Sequence, residues 1–107
     1  MPFTEHDNVR GVEMLPGVFR RTMTAGEKMM LIEVELHALA VVPMHTHPHE
    51  QTGYLVSGRL RLQIEDDTRD LSPGDCWMIP GGVPHEATAL ENSMIIDVFS
   101  PPREEYR

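Results

Sequence analysis

The chain has 107 residues, of which 40% are hydrophobic and 24% charged, and its formal net charge is −8. These values suit one globular domain over residues 1–107 and exclude a disordered chain. The acidic excess argues against nucleic acid as the main partner, since phosphate contacts need Lys and Arg. We see no stretch apolar enough to span a membrane and no secretory signal, so we predict a cytoplasmic protein without a membrane partner.

Short segments with the alternation or length of β-strands follow one another along the chain. Ile32, Val34 and Leu36 alternate with polar residues, and Leu60 begins a second clear alternation. The predicted strands cover residues 18–23, 29–39, 60–65, 76–79 and 94–99, with a return strand from 70. A hairpin turn is expected at 66–68, a tight turn at 72–75, and a helical turn or extended tail at 103–107. Many short strands without a long helix predict an all-β barrel or sandwich.

Segment 76–79 is predicted to be a buried strand, and it begins with the sole cysteine, Cys76. A single cysteine excludes an internal disulfide and fits a reducing compartment. We expect Cys76 to be a small buried apolar residue rather than a nucleophile.

Histidines with the spacing of metal ligands follow the second predicted strand. His45, His47 and Gln51 have the same parity, so on an extended strand they would point to one face. Imidazole binds Zn, Fe, Ni and Cu, which suggests a transition-metal centre. A surface histidine tract that binds metal adventitiously is the alternative. Glu50 has the opposite parity and should face away, although it stays a possible substitute ligand; His49 shares the parity but adjoins a proline.

Two motifs resemble those of the cupins, small jelly-roll barrels. The first combines the histidine pair with a residue four positions on and a later glycine: His45, His47, Gln51 and Gly58. The second is matched by Gly74, Pro80, Gly82 and His85, while Ala89 stands where the family has Asn. The resemblance implies an all-β double-stranded β-helix (jelly-roll) barrel. It also implies a divalent transition metal (Zn, Ni, Fe or Mn, with the identity open) held by His45, His47, Gln51 and His85. A barrel without metal is the alternative.

The neutral amide of Gln51 stands where the family motif has Glu. Three imidazoles and an amide leave a divalent metal its full double charge, which favours Lewis-acid chemistry. The common iron-oxygenase set is two His and one carboxylate. The ligand set therefore favours isomerisation or proton transfer, although oxygen chemistry stays open.

The last predicted strand places Asp97 and Phe99 on one face, and Arg103 follows a proline-rich turn. A buried Asp is costly unless it is paired or functional, and near a metal it could act as a general base. The guanidinium of Arg103 suits a carboxylate. This ending resembles that of the pectin-degradation cupins, which open the ring of unsaturated monouronates. The resemblance implies Asp97 and Arg103 as catalytic residues and Phe99 and Arg103 as substrate-binding residues. The alternative is that Asp97 pairs with an arginine and closes the barrel.

The leading hypothesis is an enzyme, a metal-dependent Lewis-acid isomerase or ring-opening cupin acting on a small carboxylated sugar such as an unsaturated uronate. A metal-dependent dioxygenase and a non-catalytic small-molecule-binding cupin are the alternatives. We also expect a homodimer, in which residues 9–23 could cross to the partner barrel.

Overall fold

The computed structural model describes residues 2–107 and confirms the all-β prediction. Apart from two single 3₁₀ turns, His6–Asn8 and Glu104–Tyr106, its regular structure consists of strands. The ten strands are β1 (Val12–Leu15), β2 (Val18–Ala25), β3 (Met30–Leu36), β4 (Val41–His45), β5 (Glu50–Ser57), β6 (Leu60–Ile64), β7 (Asp67–Leu71), β8 (Cys76–Ile79), β9 (His85–Ala89) and β10 (Ser93–Ser100). Among the described residues, no helix is long and apolar enough to cross a membrane.

The strands form two sheets, and all neighbouring pairs are antiparallel. The larger sheet has the order β1-β2-β3-β10-β5-β8, and the smaller has the order β4-β9-β6-β7. Strands adjacent in space are often distant in sequence, since β10 lies between β3 and β5. The predicted jelly-roll architecture is therefore confirmed.

The hydrophobic core lies between the inner faces of the sheets. In β3 and β10, buried and partly buried residues alternate over nearly the whole strand, as the period-2 pattern predicts. Both sheets contribute to the core, which contains Val18, Met30, Ile32, Val34, Leu36, Leu55, Leu60, Leu62, Ala89, Ile95 and Phe99.

The hairpin between β6 and β7 is tighter than the predicted turn at 66–68. Ile64 pairs with Asp67, so the loop consists of Glu65 and Asp66 alone. Glu65 adopts a positive φ of 53°, which a two-residue hairpin loop commonly requires. The predicted turn was wrong because Asp67 and Thr68 already belong to the return strand.

Strand β8 forms as predicted but is only half buried. It is the edge strand of the larger sheet and pairs with β5 alone. Ile79 is buried, whereas Met78 is 53% exposed and Cys76 is also exposed. The prediction of a buried cysteine was therefore wrong, because alternate side chains of an edge strand point to the outer face, which no second layer covers.

Candidate metal centre

Three different structural elements position the three histidines. His45 ends β4, His47 lies in the loop that follows, and His85 begins β9. His45 and His85 are direct cross-strand partners. The histidine run is therefore not one extended strand, as the parity argument assumed, because the chain leaves the smaller sheet after His45 and enters the larger sheet at β5.

The turn between these sheets nevertheless brings the imidazoles together. One ligand nitrogen from each of His45, His47 and His85 lies within 4.8 Å of the other two. A metal–nitrogen bond is about 2.0–2.1 Å, so one ion can contact all three. His47 and His85 are 7% and 4% exposed, which makes this a recessed group and not a surface tract.

Backbone carbonyls orient all three rings. The Nδ1 atoms of His45, His47 and His85 lie 2.8, 3.1 and 2.9 Å from carbonyl oxygens two residues away. A carbonyl can only accept, so each Nδ1 carries the hydrogen and each Nε2 keeps a free lone pair. Metal-bound histidines typically have this arrangement.

Two imidazoles of the site, those of His47 and His85, are kept in the neutral form that binds metal. Burial lowers the pKa of His47 to about 4, and the positive charge of Arg103 adds to the effect. Burial likewise lowers the pKa of His85. The Nε2 atom of His85 is buried without a hydrogen-bond partner among residues 2–107. A bound cation would satisfy this atom, so the residues present fit a metal.

The amide of Gln51 joins the group from β5. Its Oε1 atom lies 3.0 Å from Nε2 of His47. With the hydrogen of His47 on Nδ1, both atoms of this contact are acceptors, and a cation between them would remove the repulsion. Glu50 is exposed, as its parity predicts. His49 lies beside His47 at a ring distance of 5.6 Å, but it does not belong to the three-histidine group.

Asp97 lies on the inner face of β10 and is 4% exposed. Its Oδ1 atom has no hydrogen-bond partner, and no arginine forms an ion pair with it in the described chain. Burial raises the pKa of Asp97 to about 6, although the Gln51 amide and the charge of Arg103 partly oppose the rise. The alternative in which Asp97 closes the barrel through an arginine ion pair therefore finds no such pair in residues 2–107.

Arg103 reaches the site from the C-terminal segment. Its guanidinium carbon lies 5.2 Å from the ring centre of Phe99 and 4.2 Å from that of Tyr106. The side chain is 13% exposed, and its acidic neighbour is Glu105 at 3.6 Å. One Arg103 nitrogen, Nε, is buried without a hydrogen-bond partner in the described part of the chain, so the guanidinium has unused donor capacity.

Two cavities meet at this group. The inner cavity has a volume of about 70 Å³, and its polar lining consists of His45, Gln51, His85, Asp97 and Arg103, beside Phe99, Trp77 and Tyr106. The outer cavity has a volume of about 490 Å³ and shares His45, Arg103 and Tyr106 with the inner one. The predicted site residues other than His47 thus all line the inner cavity.

Among the residues of these cavities that sequence reasoning missed are Arg20, Trp77 and Tyr106. Arg20 carried a usable signal, because it has the same parity on its strand as the apolar Val18, which is completely buried. A charged residue on a core-facing position marks a functional candidate. Tyr106 had no such signal in its short polar tail.

Comparisons with known proteins agree with this geometry. Residues 32–99 match the family described as Cupin domain, a range that contains the histidine group, Asp97 and Phe99. The pectin degradation protein KdgF of Dickeya dadantii is 31% identical over 96 residues, which cover 88% of this chain and 87% of that protein. The solved structure of KdgF from Halomonas sp. is 33% identical, with a TM-score of 0.95, and covers 100% of this chain and 99% of its own.

Two further proteins are similar to this chain at lower sequence identity. Oxalate decarboxylase OxdC of Bacillus subtilis is 29% identical over 76 residues, 66% of this chain but 20% of that protein. An RmlC-like cupin from Shewanella frigidimarina has a TM-score of 0.96 at 24% identity, covers 100% of this chain and 96% of its own, and shows the shared fold. From the match to the Cupin domain over most of its length, and from the likeness to both KdgF proteins, this chain belongs to the cupin family.

Proposed function

We propose that this cupin is a metal-dependent enzyme that opens the ring of an unsaturated uronate by Lewis-acid and proton-transfer chemistry. One observation carries the proposal: a buried carboxyl group, Asp97, shares a cavity with two of the three grouped histidines, the neutral Gln51 and an arginine. The likeness to pectin degradation proteins supports the substrate class.

His45, His47, Gln51 and His85 would hold the metal through three imidazole nitrogens and the amide oxygen. A divalent cation in this set supplies a Lewis acid for substrate oxygens, with its double charge not reduced by a carboxylate ligand. Gln51 keeps the set neutral. The ligand shell leaves Asp97 as the buried carboxyl beside the centre, free for proton transfer.

Asp97 would move the proton. In ring opening, a proton leaves the hydroxyl on the anomeric carbon, the bond from that carbon to the ring oxygen breaks, and a proton is added to the alkene carbon C4. The product has the same atoms and contains an aldehyde and a ketone. The Oδ1 atom of Asp97 has no hydrogen-bond partner among residues 2–107 and is therefore available to take up and return the proton.

Arg103 and Phe99 would orient the sugar. The planar guanidinium of Arg103 can bind the substrate carboxylate through two parallel hydrogen bonds, and the ring of Phe99 offers an apolar surface to a sugar face. The inner cavity, at about 70 Å³, has room for about two water molecules at roughly 30 Å³ each. Most of the sugar would therefore lie in the outer cavity, with its reacting edge entering the inner cavity past His45 and Arg103, toward Asp97 and Phe99.

The test follows the absorbance of unsaturated galacturonate, which falls when the conjugated double bond is lost. Purified protein with added divalent metal should consume the substrate without oxygen uptake, and Asp97→Asn should slow turnover by about 100-fold or more. Asn has nearly the size and shape of Asp but carries no charge, so the Asp97→Asn variant should fold at least as well as the wild type. Asp70→Asn, which changes an exposed carboxylate, is the charge-matched control.

Equal turnover by the wild type, Asp97→Asn and Arg103→Gln would refute this proposal. Metal-dependent oxygen uptake with product oxidation would instead support the dioxygenase alternative. Binding of the uronate without conversion would support the non-catalytic alternative.

A further inference from the structure

An arginine occupies a core-facing position of β2. Arg20 pairs in register with Val34 of β3, which is 4% exposed, and paired residues of adjacent strands point to the same face. The neighbouring Arg21 points to the other face and forms ion pairs with Glu33 and Glu35 at 3.6 and 3.0 Å. Consecutive arginines thus have opposite environments.

Arg20 has no acidic partner. Within residues 2–107, no carboxylate oxygen lies within ion-pair distance of its guanidinium, and its Nε atom is buried without a hydrogen-bond partner. Its polar contact is the thioether of Met14 at 3.7 Å, a weak acceptor. A partly buried guanidinium without a counter-charge is costly, and no carboxylate among residues 2–107 offsets that cost.

Tyr106 connects Arg20 to the site. The guanidinium carbons of Arg20 and Arg103 lie 4.5 and 4.2 Å from the centre of the Tyr106 ring. The hydroxyl of Thr22, on the same face of β2 as Arg20, donates to the Tyr106 carbonyl, and Arg107 donates to the carbonyl of Gly26 at 3.0 Å. These bonds hold the C-terminal turn against β2 and keep both guanidinium groups beside one ring.

The outer cavity is therefore positively charged at one end. Its ionic lining consists of Arg20, Arg103 and Glu105. Glu105 lies 3.6 Å from Arg103, which leaves Arg20 as the arginine of this lining without an ion pair in the described chain. The protein as a whole has a formal charge of −8, so this local concentration of positive charge favours an anionic ligand at this position.

We propose that Arg20 is a second carboxylate-binding residue of the site and selects acidic sugars over neutral ones. Arg103 lines both cavities and acts beside Asp97, whereas Arg20 lines the outer cavity alone. Both guanidinium groups line the outer cavity beside the Tyr106 ring, so both can attract the carboxylate of a sugar bound there. The identity of the sugar rests on the proposed function; the preference for an anion rests on the geometry of Arg20.

The test measures binding of D-galacturonate and D-galactose by calorimetry, because the two sugars differ in a carboxylate against a hydroxymethyl group. The wild type should bind galacturonate at least about 10-fold more tightly, as a charge-assisted pair predicts. Arg20→Gln should reduce that preference by about 10-fold or more with galactose binding unchanged. Arg20→Lys should restore part of it, since it keeps the charge without the planar fork.

Arg21→Gln is the matched control, because it removes the same charge from the adjacent position on the opposite face and should keep the preference. Thermal melting of each variant separates loss of binding from loss of fold, and Arg20→Lys provides the comparison if Arg20→Gln unfolds. The inference would be overturned if Arg20→Gln kept the preference for galacturonate, or if it lost affinity for galacturonate and galactose equally.

Ring opening and carboxylate selection can fail separately. If the wild type does not consume unsaturated galacturonate but shows an Arg20-dependent preference for galacturonate, the proposed reaction fails and the assignment of Arg20 stands. A wild type without any preference for galacturonate refutes the assignment of Arg20, whatever its turnover.

Discussion

Replacing Gly53 with alanine should distort the wall of the inner cavity. Gly53 lies in β5, with Asp97 of β10 as its partner on one side and Trp77 of β8 on the other. A Cβ atom at this position would lie 2.3–2.4 Å from three atoms of the Trp77 ring. Ordinary carbon contacts are about 3.5–4.0 Å, so the ring would have to move by about 1 Å.

The clash sets the expected magnitude. The Trp77 ring packs against the hydrophobic core and lines the inner cavity, so it cannot move without disturbing both. Overpacking of this kind typically costs about 1–3 kcal/mol in the free energy of unfolding. We expect Gly53→Ala to be destabilised by that amount and to bind the uronate more weakly.

Urea denaturation followed by fluorescence measures the effect directly, because Trp77 is the only tryptophan of the chain. The native emission of Gly53→Ala should shift as the ring moves. Gly26→Ala is the control, since its Cβ would meet nothing closer than the Met29 carbonyl at 4.0 Å, and its stability should change by less than about 0.5 kcal/mol.

A double-mutant cycle shows whether the ring contact is the cause. Trp77→Phe removes part of the ring that a Cβ at position 53 would meet, so Gly53→Ala should cost less in that background, as measured by circular dichroism. Wild-type stability and unchanged emission in Gly53→Ala, or an equal cost in both backgrounds, would refute the steric argument.

Two further predictions concern the histidine loop and an exposed ion pair. In Gly81→Ala, a Cβ would lie 2.3 Å from the carbonyl oxygen of Pro48, so the loop that carries His47 must shift. The affinity for zinc, measured by competition with a chelator, should fall by about 10-fold or more. An unchanged zinc affinity would contradict this prediction. Arg61 donates to the Asp70 carboxylate at 2.7 and 3.0 Å and lowers the pKa of Asp70. Because that folded pKa is lowered, the stabilisation exists above the pKa of unfolded Asp and is lost as the pH falls through the folded value. Arg61→Gln should therefore have a lower melting temperature than the wild type at pH 7, and the same melting temperature near pH 2. A difference that persists at pH 2 would show that the ion pair is not its cause.

The alternation of apolar and polar residues was sufficient to predict which side chains are buried in strands with one face toward the core. The alternation of Ile32, Val34 and Leu36 predicted the buried face of β3, and Asp97 and Phe99 share the inner face of β10 as expected. Pattern alone did not identify β1 or β9, because their short segments lack a clear alternation.

The sequence also pointed to residues that the fold brings together around the inner cavity: His45, His47, Gln51, His85, Asp97, Phe99 and Arg103. It did so through motif resemblance, since the parity argument placed His45 and Gln51 on one strand, whereas they lie on different sheets. Only the tertiary structure decided three other features. These are the exposure of Cys76, the lack of room for a side chain at Gly53, and the lack of a hydrogen-bond partner for the Arg20 Nε atom among residues 2–107. The physical reason is that each depends on which strands from distant parts of the sequence become neighbours, and the surroundings of a side chain, not its residue type, determine whether it is buried, paired or free to bind a ligand.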